Sequence, residues 1–133
     1  MKNKIVVVAL LFLTSACAAK PPEAAEKAFF KMFPTAQMVN WAKETKTDWE
    51  AEFTINKIEM SANFNDQGTW LETETEISVN DLPKSFTDKV AAENPGWKIN
   101  EADKIEKPGS IIQYVAEIKK GVITKEIQSG EMK

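Results

Sequence analysis

The chain has 133 residues, a formal charge of −3, no histidine and a single cysteine, Cys17. Without histidine, and with its one thiol at the end of an apolar leader, it lacks the Ser-His or Cys-His pair of most nucleophilic catalysis and the ligands of an ordinary zinc site. Its acidity argues against nucleic acid as a partner, because a phosphate backbone needs a basic surface.

Lys2 and Lys4 precede the apolar run Ile5 to Leu13, and Thr14, Ser15 and Ala16 then lead to Cys17. Positive, then apolar, then small is the order of a secretory signal. The run is shorter than the roughly 20 residues a spanning helix needs, so residues 1–16 are expected to be removed. Two routes are open. Ser15-Ala16-Cys17 fits a lipoprotein signal, with Leu13 one position early, and makes Cys17 the lipidated first residue; cleavage after Ala18 is the ordinary alternative. The position of the only cysteine favours lipidation. Residues 17–22 then form a short tether, and loss of Lys2 and Lys4 takes the charge to about −5.

Pro21 and Pro22, followed by Glu23 and Glu26, open a predicted helix to Phe33, with Ala25, Phe29 and Phe33 near helical spacing and Pro34 as its stop. Gln37 to Lys43 reads as a strand. Trp49 to Phe64 reads as a hairpin, since Trp49, Ala51, Phe53 and Ile55 alternate with polar residues and Ile58, Met60, Ala62 and Phe64 do so after a turn at Asn56. Asn65-Asp66-Gln67-Gly68 is turn chemistry leading to a strand from Thr69 to Ser78. A second helix is expected from Leu82 to Asn94, capped by Asn80 or Asp81 and ended at Asn94-Pro95-Gly96. Three strands follow: Trp97 to Glu106 with Trp97, Ile99 and Ile105 on one face, Ser110 to Lys119, and Val122 to Ile127. The tail from Ser129 is expected to fray.

The halves repeat, with Trp49-Glu50-Ala51-Glu52-Phe53 matching Tyr114-Val115-Ala116-Glu117-Ile118 and Phe33-Pro34 matching Asn94-Pro95. The expected fold is α+β: two helix-plus-antiparallel-strand repeats, 23–78 and 81–128, forming one sheet with both helices on one face of a single domain, 23–128.

The proline-stopped helix, the hairpin Trp49-Glu50-Ala51-Glu52-Phe53, the turn Asn65-Asp66-Gln67-Gly68 before Trp70-Leu71-Glu72, and the close Asn94-Pro95-Gly96-Trp97 resemble PepSY-like domains, and more narrowly the secreted β-lactamase-inhibitor-like, PepSY-like proteins. The resemblance runs from about Pro22 to Ile127. It implies a helix-and-sheet repeat fold in the cell envelope, and no catalytic residue.

Carboxylates are the remaining chemistry. Glu50, Glu52, Glu59, Glu72, Glu74 and Glu76 alternate away from the apolar set and make either a solvated sheet face or an acidic patch that steers a basic partner. Asn63, Asn65, Gln67, Gly68 and Glu74 meet the spacing of a calcium loop, but strands flank them and no aspartate opens them, so a hairpin turn is the better reading. Trp70 is out of phase with Leu71 and Ile77 and is expected to be exposed. With Ile111, Val115 and Val122 it would form an apolar patch rimmed by Glu50 and Glu52 on the face away from the helices. The reading is a non-enzymatic protein of the periplasm or outer membrane, without cofactor or metal. It would bind a protein or peptide through its sheet and reach the membrane only by its N-terminal lipid; the alternative is a periplasmic small-ligand or metal-ion binder.

Overall fold

The computed structural model describes residues 19–133; Cys17 and the leader lie outside them. The order of elements is α1 (Glu23–Met32), β1 (Gln37–Lys43), β2 (Asp48–Ile55), β3 (Ile58–Asn65), β4 (Trp70–Ile77), α2 (Lys84–Glu93), β5 (Lys98–Lys107), β6 (Ile111–Lys120) and β7 (Ile123–Gln128). The seven strands form one antiparallel sheet in which each pairs with its neighbour in sequence. The fold is α+β.

Helix α1 is set up by Pro22, whose φ of −57° suits a helix entrance, and by Glu23 and Glu26 at its positive end. It buries Ala25 and Phe29 against Ala51 and Phe53 of β2 and Ala62 and Phe64 of β3. Helix α2 begins later than expected. Leu82 is extended, with ψ of 140°, because the ring of Pro83 disfavours helical backbone in the residue before it. Neither Asn80 nor Asp81 caps this helix; Pro83 holds the cap position, and Ser78 accepts a bond from the Asn80 amide in a short 3-10 turn over Val79–Asp81. Leu82, Phe86 and Val90 pack with Ala102, Ala116 and Ile118. Asn94 then turns its side-chain amide back to the Val90 carbonyl, 2.9 Å away, which satisfies a buried group at the helix end.

The hairpin turns follow from residue chemistry. Asn56 and Lys57 both have positive φ, as the two-residue β2–β3 turn requires. At the β3–β4 turn the Asn65 side-chain oxygen accepts from the amides of Gln67 and Thr69 at 3.0 and 2.9 Å, and Gly68 has φ of +81°. The segment read against a calcium loop is therefore a hairpin turn.

Two departures from simple alternation matter for the surface. The β3–β4 register runs Asn63 with Glu72 and then Phe64 with Trp70, so Leu71 is an extra residue, a β-bulge that reverses the phase of Trp70. The β5–β6 register slips between Ile99 and Glu101, so Ile99 packs with the second core cluster while Ile105 stands on the other face, opposite Glu74 and Gln113. Ile99 and Ile105 do not share a face, because Asn100 is inserted between them. Nor is the tail frayed: Ile112 and Met132 exchange backbone bonds of 2.8 Å, and Ser129 Oγ accepts from the Tyr114 amide at 2.9 Å.

Candidate functional site: an acidic groove

Residues paired across an antiparallel ladder share a face, so register shows which side chains meet. Away from the buried residues of β2, one row runs Glu52, Ser61, Glu74, Ile105, and a second runs Glu76, Asp103, Val115, Gln128. A groove of about 430 Å³ opens here. Its lining holds the carboxylates of Glu50, Glu52, Glu59, Glu74, Glu76, Glu101 and Asp103, with apolar contributions from Met38, Phe53 and Met60, and no lysine. Glu76 and Asp103 stand directly opposite each other, as do Glu101 and Glu117, an arrangement that costs stability.

The electrostatics show that cost. Burial above all, then Asp103, Glu126, Glu72 and Glu50, push the Glu74 carboxyl up to about 8. Burial raises Glu50 to about 7, helped by the charge of Glu44, a hydrogen bond to it, and Glu52, while a hydrogen bond from Ser61 opposes the rise. Asp103 reaches about 6 through burial, then Glu76, Glu101, Glu126 and Glu117. The little burial Glu101 has, then Glu117, Glu76 and Glu59, raise it against the pull of Lys119.

These shifts predict how stability follows pH. Each group binds its proton more tightly folded than unfolded, so the folded state holds extra protons between about pH 4 and pH 8. Their stabilising effect is complete below the ordinary carboxylate range and disappears as pH rises through 6, 7 and 8. Thermal melting should therefore be higher at pH 5.5 than at pH 8.5, by about 5 °C or more. A melting curve that moves the other way would remove the proposed protonation.

The residues singled out from the sequence are divided by the fold. Glu50 and Glu52 lie in the groove wall. Trp70, contrary to its expected exposure, is half-buried against the first core cluster, with its indole N–H donating to Thr73 Oγ1 at 2.9 Å. Val115 does share the face of Asp103, but it is 5% exposed and belongs to the interior. Ile111 is half-buried at the far end of β6, opposite Lys107, and Val122 is 98% exposed at the β6–β7 turn. These four do not form one patch. Sequence reasoning missed Glu101 and Asp103, whose alternation with Ala102 repeats the acid-every-second-residue pattern of β4; the insertion at Asn100 concealed their phase.

A small antiparallel sheet with two helices thus carries a concave acidic surface of the size of a ligand site. Among the described residues no helix is long and apolar enough to cross a membrane, and no three metal-ligating side chains converge. The chain belongs to the family described as "Putative beta-lactamase-inhibitor-like, PepSY-like", whose pattern matches residues 47–133. Solved structures share its fold. A DUF2874 family protein from Bacteroides ovatus is 22% identical with a TM-score of 0.69, covering 83% of this chain and 80% of that one. A protein from Bacteroides eggerthii described as a "putative periplasmic" protein is 18% identical with a TM-score of 0.72, covering 83% and 81%. A BLIP-like protein from Bacteroides fragilis is 22% identical with a TM-score of 0.62, covering 84% and 90%. No curated protein sequence matches the chain.

Proposed function

We propose that this is a non-enzymatic cell-envelope protein that holds a lysine- or arginine-rich segment of another protein or peptide in its acidic groove. The observation that carries the reading is the groove itself, seven carboxylates in a lining without a cation. Such a surface steers positive partners and is costly to leave empty. The inhibitor-like family and the BLIP-like neighbour support protein binding over catalysis. The signal-type leader and the periplasmic description of the B. eggerthii neighbour support an envelope location, with Cys17 carrying the lipid and residues 17–22 the tether. We also read the domain as two repeats with both helices on one face. Register favours this, since Ala62 pairs with Thr73 in β4 and the same strand's Ile77 pairs with Ala102 of the second cluster.

The test is direct binding of a synthetic decalysine peptide. It should bind in low salt and weaken as salt rises, because the attraction is screened. Glu52→Lys with Glu76→Lys, both at exposed positions of the groove, should lower its affinity by about tenfold or more while the melting temperature is kept or rises, since Glu76 stands opposite Asp103. Equal affinity for the parent and this variant would move the site elsewhere.

A further inference from the structure

The groove has a property that charge alone does not give: its carboxylates and their acidic neighbours face one another across five strands and a loop. Glu74 on β4 is met by Glu50 from β2, Asp103 from β5 and Glu126 from β7, with Glu72 on its own strand and Ser61 of β3 beside it in register. Asp103 is met by Glu76 from β4, Glu117 from β6 and Glu126 from β7, with Glu101 on its own strand. Glu50 lies beside Glu44 of the β1–β2 loop, Glu52 and Ser61. Carboxyl groups brought together hold a proton more readily than they stay ionised side by side. Lys119 opposes the rise at Glu101, at the rim of the groove.

We infer that the groove is a proton-coupled site, in which opposed carboxylates share protons while it is empty and give them up to solvent when a cationic segment enters. This rests on the groove being the binding site and adds how occupancy is regulated. An arriving ammonium or guanidinium supplies the countercharge that the protons supplied before, so each carboxylate it meets ionises. Linkage fixes the direction: binding that releases protons tightens as pH rises, by up to tenfold per pH unit for each proton released. The raised proton affinities of Glu74, Glu50 and Asp103 place this response between about pH 6 and pH 8. The partner is then gripped in neutral or alkaline surroundings and released in acid.

The experiment is calorimetric titration of the protein with decalysine at pH 5.5, 7.0 and 8.5 and fixed ionic strength, at each pH in two buffers of different ionisation enthalpy. Decalysine stays fully charged near neutrality, so protons released there come from the protein. At pH 7.0 at least about one proton should leave per peptide bound, and affinity should fall by about tenfold or more from pH 8.5 to 5.5. Glu74→Gln, which removes one shared proton without changing shape, should still bind decalysine but release fewer protons and flatten the profile. Binding that releases no proton, or the same number from the Glu74→Gln variant, would overturn the coupling and leave the groove as a site. No binding at any pH would overturn the groove reading and the coupling with it. Carboxyl NMR of the protein alone separates these causes, since a Glu74 midpoint below pH 5 refutes shared protons whatever the peptide does.

Discussion

Phe29→Ala is expected to cost about 3 to 5 kcal/mol of folding stability, the usual penalty for emptying a buried aromatic site. Phe29 is 0% exposed and is the centre of the first core: its ring meets Phe53, Trp41 and Phe64 edge-on at 4.9, 5.3 and 6.2 Å between centroids, and Phe33 at a tilt at 5.4 Å. Edge-to-face pairs of this kind add to the transfer term. Its neighbours come from a helix and three strands, so they cannot all collapse into the space. A domain of this size has only about 5 to 15 kcal/mol in total, and the variant should lie near its unfolding threshold at 37 °C. Phe30, one residue on and 44% exposed, is the control, with an expected cost below about 1 kcal/mol for Phe30→Ala. Urea denaturation of both variants decides it; similar midpoints would mean that α1 is not seated through Phe29.

Gly68→Ala is the second large effect, expected at about 3 kcal/mol or more. Gly68 has φ of +81°, where a side chain is strained by about 1 to 2 kcal/mol. An added Cβ would also clash with the Ala24 carbonyl oxygen and stand 2.8 Å from its carbon. These are backbone atoms of the first turn of α1, unable to swing aside as a flexible side chain would. Relief requires the helix to lift off the β3–β4 turn, which loosens Ala25 and Phe29 behind it. Gly109 supplies the comparison, because its φ is +82° and nothing lies within 4 Å of the equivalent Cβ. Gly109→Ala should therefore lose only the conformational share. The difference in thermal stability between the two variants measures how closely the helix start rests on the turn, and equal losses would show that it does not.

Much of the architecture was legible because period-two alternation and proline stops are local signals. Strand β1 was read at its observed bounds, and the hairpin around Asn56 follows directly from Trp49 to Phe64. What escaped the reading depends on single inserted residues. Leu71 and Asn100 look ordinary in a strand, yet each adds one position and turns every later side chain to the opposite face. Hence alternation alone puts Trp70 on the wet face and Ile105 on the face of Ile99, and leaves Glu101 and Asp103 apart from Glu74. The start of α2 was misplaced by two residues because an acceptable cap at Asn80 or Asp81 hid the constraint that Pro83 places on Leu82. The acids of β2 to β4 were visible as a set; that they form a groove, and that β5 completes it, is a property of sheet curvature and register.

The strict neighbour-to-neighbour strand order bears on how the chain acquires its structure. Six ladders join consecutive strands, and five of them are closed by a short turn; only β4 and β5 are separated by a longer excursion, the one containing α2. Early pairing therefore requires little loop-closure entropy, the condition under which β-rich chains fold quickly. Each core cluster draws on one helix and strands close to it in sequence, so the two halves can gain protection from hydrogen exchange as separate units. The β4–β5 ladder is the seam between them, and it brings Glu76 face to face with Asp103. A guest that neutralises this pair would close the seam and make two folding units cooperate as one.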